Sequence, residues 1–548
     1  MPSLPWRTLL SRLLPARRIR RPRTRHPSPL HLELLEDRTL LSVFTVRTTD
    51  DFGAGSLRQA IIDANAASGT NSIRFAIDGT GVQSIHPGSP LPDVTSPLAI
   101  DGTTQPGFVD TPLIELNGSA AGSSANGLVI RANNSGVKGL IINGFARAGI
   151  ELTMGGANTV AGNYIGTNAV GTTAVANGEG ILLSFTSNNV IGGTNAAARN
   201  LISGNSGDGI DVSPNVITRN NTIEGNYIGT DVTGTHALGN RTGVALDEAL
   251  NILGGTAPGT GNLISGNDIG AEISARGMIV QGNFIGTDAS GTAPLGNRIG
   301  VLVQSPFAFQ SLIGGTTTAA RNLISGNHFA GVQIDGSGQN TLEGNYIGTD
   351  ITGNVAIGNG YGVLLSGGAS NNDIGPTIAV AARNLISGNS AGIELISADG
   401  NRIHGNDIGT NAAATAAVPN LNGVELISST NNLVGGIRVA SFMDPGAVNV
   451  ISGNLNAGVL LTSGGNQVQG NFVGVNRLGS AALPNGVGIF VSGPNNLIGG
   501  ASSGVSNVIS GNSSTGLDLS GALATGNRSR VTKSASTWPA RRSPMSRG

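Results

Sequence analysis

The sequence contains no cysteine, few aromatic residues and few charged residues for its length of 548. Without cysteine, it can form neither disulfides nor thiolate sites for zinc or iron–sulfur clusters. Aromatic residues make up 3% of the chain and charged residues 11%, which argues against both a thick spherical core and a disordered polyampholyte. No apolar run approaches the ~18 residues of a membrane-spanning helix. The sequence therefore predicts a regularly packed chain without a transmembrane segment.

Glycine and asparagine are abundant instead, with 86 and 55 copies. Both residues tolerate the left-handed backbone conformations that tight bends require. We therefore expect many turns and many short strands.

The formal net charge of −1 conceals an uneven distribution. Residues 1–47 carry 10 Arg and 3 acidic residues, and residues 525–548 carry six basic residues and no acid. The body between them, residues 48–524, has 15 basic and 29 acidic residues, a net charge of −14. Nucleic-acid binding needs a basic surface, so this body argues against a nucleic-acid partner.

Three short patterns recur along the body. The string GNYIGT, or a close variant, begins at Gly162, Gly225, Gly282, Gly344, Gly405 and Gly470. A second string, NLISGN or a variant, alternates with it. A third pattern, Gly-apolar-x-apolar, begins thirteen times between Gly149 and Gly516, at a mean interval of about 31 residues. The chain is therefore a repeat protein with a period near 31 residues.

Each period contains three strands of about four to six residues, separated by Gly and Asn bends. A helix is excluded because each glycine would cost it about 1 kcal/mol. The strands follow one another without the register of a β-hairpin. The chain must therefore coil, so that each strand pairs with the equivalent strand one turn later. The predicted fold is all-β, a single-stranded right-handed parallel β-helix of about thirteen turns.

The aligned strings predict a buried column of asparagines whose side-chain amides bond from turn to turn. Its members are Asn163, Asn200, Asn226, Asn262, Asn283, Asn322, Asn345, Asn384, Asn406, Asn449, Asn471 and Asn507. An apolar column of Ile and Val lies two positions further on, where β-branched residues suit a stacked interior.

The predicted β-helix covers residues 44–520, with an N-terminal cap at 56–67. Ser56 and Gln59 have the spacing of a capping box, and Leu57, Ala60, Ile61 and Ala64 fall on one helical face. Residues 1–43 are predicted to be a basic leader, disordered or related to export. Residues 521–548 lack the repeat and are predicted to be a disordered basic tail, or a truncated end.

Several segments carry a family resemblance: GSLRQAIIDAN near the cap, IDGTTQPG at 100–107, and the repeated GNYIGT and NLISGN strings. On these segments, residues 44–520 resemble the bacterial exported right-handed parallel β-helix repeat proteins of the pectin-lyase-like superfamily. The segment LELLEDRTLLS (residues 32–42) resembles a segment at the front of large exported bacterial proteins. The resemblance implies a bacterial protein that is extracellular or on the cell surface. Because the superfamily includes lyases, hydrolases and proteins without known activity, it leaves function open.

In the Gly-apolar-x-apolar strand, position x points away from the core. We call these residues the central column: Glu151, Leu182, Asp211, Ala245, Glu272, Leu302, Gln333, Leu364, Glu394, Glu425, Leu460, Phe490 and Asp518. Glu394 and Glu425 occupy adjacent turns at about 5 Å, close to the carboxyl separation of a retaining glycosidase. They are the candidate catalytic residues. No cluster of three acids is evident from the sequence.

Longer loops follow alternate turns and begin with Asp231, Asp288 and Asp350. These carboxylates are candidate calcium ligands, since Ca²⁺ prefers oxygen. The alternative is an Asx-turn that orders the loop itself. No other cofactor is indicated.

The leading functional hypothesis is a non-catalytic extracellular or cell-surface β-helix scaffold with a face that binds carbohydrate or protein. Its partner would be a polysaccharide or a surface protein. The alternative is an enzyme, a polysaccharide lyase or glycoside hydrolase that acts in a groove along the helix.

Overall fold

A computed structural model describes residues 42–215, 217–376, 382–437, 448–502 and 504–530. The chain coils as a β-helix of about 16 turns, and every pair of neighbouring strands is parallel. The predicted fold class is confirmed. The additional turns come from residues before Gly149 and after Gly516, where the repeat strings are absent.

Three parallel sheets run along the part of the β-helix that the structure describes, and the strand counts below refer to this part. Sheet 1 has 17 strands: Ser42–Val46, Asn71–Phe75, Leu98–Asp101, Gly136–Lys138, Thr159–Ala161, Val190–Gly192, Thr222–Glu224, Ile252–Gly254, Ile279–Gln281, Leu312–Gly314, Thr341–Glu343, Asp373–Ile374, Arg402–Ile403, Leu433–Gly435, Gln467–Gln469, Leu497–Gly499 and Arg528–Arg530.

Sheet 2 has 15 shorter strands: Gln83–Ile85, Ile114–Asn117, Leu140–Asn143, Tyr164–Ile165, Leu201–Ile202, Tyr227–Ile228, Leu263–Ile264, Phe284–Ile285, Leu323–Ile324, Tyr346–Ile347, Leu385–Ile386, Asp407–Ile408, Val450–Ile451, Phe472–Val473 and Val508–Ile509.

Sheet 3 has 14 strands: Leu128–Ile130, Ala148–Thr153, Glu179–Ser184, Ile210–Val212, Thr242–Leu246, Ile269–Ile273, Ile299–Gln304, Ala330–Asp335, Tyr361–Ser366, Ala391–Ile396, Asn422–Ile427, Ala457–Leu461, Val487–Val491 and Leu517–Leu519. The described residues also contain four short 3-10 turns, at Gly102–Thr104, Gly118–Ala120, Ala196–Ala198 and Thr318–Ala320.

One α-helix, α1 (Leu57–Ala66), is found in the described part of the chain, at the predicted cap. Its apolar face is buried as predicted, and Ser56 accepts a hydrogen bond from the Gln59 amide. The predicted reciprocal bond is absent: the Ser56 amide donates to Gly53 and the Gln59 side chain donates to Asp63. The capping box is therefore only half formed.

The ends of the β-helix extend past the predicted limits of 44 and 520. The first strand begins at Ser42, and Arg528–Arg530 pairs with Leu497–Gly499. The rest of the predicted leader and tail, residues 1–41 and 531–548, lies outside the described residues. No helix in the described ranges is long and apolar enough to cross a membrane.

The predicted asparagine column forms a continuous buried ladder between sheets 1 and 2. Each side-chain Nδ2 donates to the Oδ1 of the next member from Asn163 to Asn507, at 2.9–3.1 Å. Many members also donate to a main-chain carbonyl of an earlier turn, as Asn226 does to Ile191 at 2.8 Å. Buried amides satisfied in this way hold successive turns in register.

Two further ladders occupy the other corners and were not predicted. One, between sheets 2 and 3, contains Asn177, Asn205, Asn240, Asn267, Asn297, Asn327, Asn359, Asn389, Asn420, Asn454, Asn485 and Asn512. The other, between sheets 3 and 1, contains Asn158, Asn189, Asn221, Asn251, Asn340, Asn372, Asn401, Asn432, Asn466, Asn496 and Asn527. It is interrupted after Asn251, where Met278 donates its amide to Ser311 instead.

Arginines beside the first ladder bind the outer side of sheet 2. Arg199 stacks on Tyr227 and Arg321 on Tyr346, at 4.1 and 3.9 Å from the ring centroids. Where the aromatic residue is replaced by Asp407, the buried Arg383 forms an ion pair with this carboxylate at 2.8 Å. Arg477 contacts the other oxygen of Asp407. The same position is thus stabilised by cation–π stacking or by a buried ion pair.

Candidate functional site

Sheet 3 presents the predicted central column on its outer face. Strand pairing places all its members from Glu151 to Asp518 directly beside one another, one per turn. Two further outward columns flank it. The column before it in sequence contains Glu179, Thr242 and Tyr361, and the column after it contains Ser184, Gln304 and Asp335. The face is therefore three side chains wide.

Glu394 and Glu425 are register partners on adjacent strands, as predicted. We call them the glutamate pair. Glu394 is only 8% exposed, and burial together with the charge of Glu425 raises the pKa of Glu394 to about 7. The Glu425 carboxylate accepts a hydrogen bond at 2.9 Å from Asn422, which itself accepts one at 2.9 Å from Asn456. One carboxyl is thus poised to hold a proton near neutrality, and the other is oriented by an amide relay.

Aromatic side chains lie next to the glutamate pair. Tyr361 begins a sheet 3 strand that pairs with Ala391–Ile396, and the charge of Glu394 is the main cause of its raised pKa, followed by burial and Glu425. Phe329 contacts Tyr361 edge to face at a centroid distance of 5.4 Å and is 39% exposed. An apolar ring surface therefore borders the two carboxyls.

Five carboxyl side chains gather near the N-terminal end of sheet 3: Glu179, Asp208, Asp211, Asp247 and Glu272. We call them the acidic cluster. The strands bring Asp211 and Glu272 to either side of Ala245 in the central column. Arg241 contacts Asp208 at 2.9 Å.

Burial and mutual repulsion raise the pKa of four carboxyls of the acidic cluster. Burial, together with Glu179, Asp247 and Asp208, raises the pKa of Asp211 to about 7. Burial is also the main cause of the raised pKa of Glu179, Asp247 and Glu272. Carboxyls that lack enough compensating cations hold protons more tightly or bind a cationic ligand.

The loop residues Asp231, Asp288 and Asp350 each order their own loop. The Oδ1 of Asp350 accepts hydrogen bonds from the amides of Asn354 and Val355, at 3.0 and 3.1 Å. Asp231 and Asp288 accept equivalent bonds. Asn411 does the same in another loop, so this turn needs no charge.

These loop hydrogen bonds also set the protonation of the aspartates. Burial alone would raise their pKa, but hydrogen bonds from the loop amides and hydroxyls outweigh it and lower the pKa of all three. Each loop brings one carboxylate. Within the described ranges, no group of three or more His, Asp or Glu residues is arranged to hold a metal ion. Calcium binding by these loops stays a prediction, with the Asx-turn as the observed arrangement.

Comparisons with known proteins return distant structural likenesses. The A-module of the mannuronan C-5 epimerase AlgE4 of Azotobacter vinelandii has 12% identity and a TM-score of 0.42, over 83% of this chain and all of that one. The Dettilon tailspike protein gp208 has 15% identity and a TM-score of 0.34, over 80% of this chain and 66% of that one. No family model and no curated protein matches the sequence. With TM-scores below 0.5, the β-helix assignment rests on the strand pairing of the chain itself.

Proposed function

We propose that this chain is an extracellular or cell-surface bacterial β-helix that binds carbohydrate along the outer face of sheet 3. The observation that carries the proposal is the glutamate pair beside the Phe329–Tyr361 rings. Carboxylates accept strong hydrogen bonds from sugar hydroxyls, and an exposed ring provides an apolar surface for a sugar face. The proposed role is that of a scaffold.

The negative charge of the protein body narrows the class of carbohydrate that this face can bind. The body carries a net charge of −14, and sheet 3 adds the acidic cluster to the glutamate pair. Such a surface repels anionic polysaccharides, attracts cationic ones and imposes no Coulombic penalty on neutral ones. We therefore expect neutral or amine-bearing glycans to bind in preference to uronic-acid or sulfated polymers.

A second candidate function is glycoside hydrolysis by the glutamate pair. Register partners on adjacent strands lie about 4.8 Å apart, close to the ~5–5.5 Å between the carboxyls of retaining glycosidases. Glu394, with its raised pKa, would act as the general acid, and Glu425, oriented by Asn422, as the nucleophile. A lyase activity has no comparable support from these contacts.

The test measures binding and turnover on one panel of neutral, amine-bearing and anionic polysaccharides. The scaffold proposal expects binding without release of reducing ends, weakened at least about tenfold by Tyr361→Ala. Phe284→Ala, on sheet 2, is the matched aromatic control and should bind like the wild type. Reducing-end release that Glu394→Gln and Glu425→Gln both abolish would replace the scaffold by the hydrolase. Binding unaffected by Tyr361→Ala, or none at all, would contradict the proposed face.

A further inference from the structure

The corner where sheet 3 strands lead into sheet 1 strands carries a row of exposed apolar side chains. Main-chain hydrogen bonds stack the turns at this corner, as from the Asn220 amide to the Leu250 carbonyl. Five of six successive turns each present one large apolar side chain that is 46–72% exposed, and we call these residues the apolar ridge: Met154, Phe185, Ile217, Leu250 and Phe307. The next six turns at this corner, all within the described residues, carry none. The ridge is therefore a local surface feature that the repeat itself does not require.

Three ridge residues adopt a backbone conformation that disfavours them. Met154, Phe185 and Leu250 have φ values of 62°, 53° and 62°. Other turns hold small or amide residues at these left-handed positions: Gly336, Gly367, Ser397 and Ser428, equivalent to Phe185, and Asn220, Gln339 and Asn371, equivalent to Leu250. A bulky apolar residue is unfavourable in this region of φ and ψ, and its exposure to water brings no compensating burial. A partner that buries the ridge would supply that compensation.

Charged side chains of opposite sign lie on opposite sides of the ridge. Arg219 and Arg276 are exposed and each lie three residues before a sheet 1 strand, whereas Asp247 and Glu248 directly follow a sheet 3 strand. Neither arginine forms an ion pair with another described residue, and neither does Glu248. Phe, Met and Arg are the residues in which protein interfaces are enriched. A lipid surface would gain nothing from the two carboxylates, so the mixed charge favours a protein partner.

The ridge is complementary to itself about a two-fold axis midway between the turns of Ile217 and Leu250. Such an axis sets the first of the six turns against the sixth and the sheet 3 side of one copy against the sheet 1 side of the other. The facing pairs are then Met154 with Phe307, Phe185 with Arg276, Ile217 with Leu250, and Arg219 with Asp247 and Glu248. Apolar groups meet apolar groups, a guanidinium meets a ring, and opposite charges meet. Each contact occurs twice in a dimer.

We propose that the apolar ridge is the interface of an antiparallel homodimer of this chain. The six turns span about 24 Å at roughly 4.8 Å per turn, a short interface that suits a weak, reversible dimer. Glu394 lies three turns beyond Phe307, outside the ridge. The inference is therefore independent of the proposed function.

The test is sedimentation velocity of the full chain between about 1 and 100 μM, where a weak dimer dissociates on dilution. Arg219→Glu and Glu248→Arg each set like charges against each other twice and should weaken the dimer at least about tenfold. An equimolar mixture of these two variants should dimerise again, because both 219–248 contacts of the mixed dimer join opposite charges. This recovery requires the two-fold arrangement.

The apolar contacts are tested with residues taken from equivalent turns. Phe185→Ser and Leu250→Asn should each weaken the dimer at least about tenfold without lowering the melting temperature of the monomer, because the new residues suit the left-handed backbone. Val355→Ser, at an exposed apolar residue in the loop that begins at Asp350, is the matched control and should leave the dimer unchanged.

Several outcomes would overturn the inference. These are a wild-type chain that stays monomeric throughout the concentration range, a dimer that persists in both Phe185→Ser and Leu250→Asn, or a mixture of the two charge variants that stays monomeric although circular dichroism shows both to be folded. Flotation of monomeric wild type with phosphatidylglycerol vesicles, lost in Phe185→Ser, would assign the ridge to a lipid surface instead. Because the glycan panel is read with Tyr361→Ala, loss of the dimer proposal leaves the proposed function untouched, and the reverse also holds.

Discussion

Removing a single amide from the first asparagine ladder should destabilise the β-helix strongly. Asn226 takes part in five side-chain hydrogen bonds: its Nδ2 donates to Asn262, Ile191 and Glu224, and its Oδ1 accepts two from Asn200. In Asn226→Ala, the main-chain N–H of Asn200 and the main-chain carbonyl of Ile191 each lose the Asn226 side chain as a buried hydrogen-bond partner. At about 1–3 kcal/mol for each unsatisfied group, the free energy of unfolding should fall by about 2–6 kcal/mol.

Urea denaturation followed by far-UV circular dichroism measures this loss. Because long repeat arrays depart from two-state behaviour, hydrogen exchange of the Asn200 amide provides a local measure. Asn354→Ala, at an exposed loop position, is the matched control and should change stability by less than about 0.5 kcal/mol. A loss in Asn226→Ala no larger than in this control, with unchanged exchange at Asn200, would refute the ladder as the element that holds the turns together.

Three further predictions concern charged groups. Because the pKa of Glu394 in the fold, about 7, exceeds its ordinary 4.5, its stabilising contribution is complete below pH 4.5 and lost as the pH rises through 7. Glu394→Gln should therefore reduce the pH dependence of the free energy of unfolding, measured by urea denaturation, by on the order of 1–3 kcal/mol between these limits. Asp407→Asn leaves Arg383 buried without its counter-charge, so thermal unfolding should show a loss of about 3–5 kcal/mol. Asp350→Asn should change the free energy of unfolding by less than about 1 kcal/mol, because Asn411 orders an equivalent loop. Calcium should shift the melting temperature of neither the wild type nor this variant.

Each of these predictions has a contrary result. An unchanged pH profile in Glu394→Gln would mean that the glutamate pair is not coupled. A wild-type melting temperature in Asp407→Asn would mean that its arginines find other partners. A calcium-dependent rise in melting temperature that Asp350→Asn removes would establish the calcium site in place of the Asx-turn.

Positions at a fixed offset from a conspicuous string were predictable from the sequence. The first ladder and the central column belong to GNYIGT, NLISGN and Gly-apolar-x-apolar, so aligning the strings also aligns the turns. The second ladder alternates between the closing asparagine of the NLISGN strings, as at Asn205, and the last residue of the longer loops, as at Asn240, so no single string aligns all its members. The third ladder likewise begins two different strings, as at Asn189 and Asn221.

The acidic cluster was missed for a topological reason. Asp208, Asp211 and Asp247 lie in three different outward columns, and the Gly-apolar-x-apolar pattern marks only one of them. Loops of unequal length separate the turns, so the spacing between Asp208 and Asp247 in the sequence does not indicate that their charges interact. The ion pair of Arg383 was also not predictable, because its partner Asp407 occupies a position that is aromatic in the other GNYIGT strings, and only the register brings the two side chains together.

Hydrogen–deuterium exchange with and without the tightest ligand of the glycan panel tests the proposed binding face most directly. We expect slower exchange in the sheet 3 strands Tyr361–Ser366, Ala391–Ile396 and Asn422–Ile427, with the equivalent strands of sheets 1 and 2 unaffected. Protection confined to sheet 1, to sheet 2 or to the loops that begin at Asp231, Asp288 and Asp350 would contradict it.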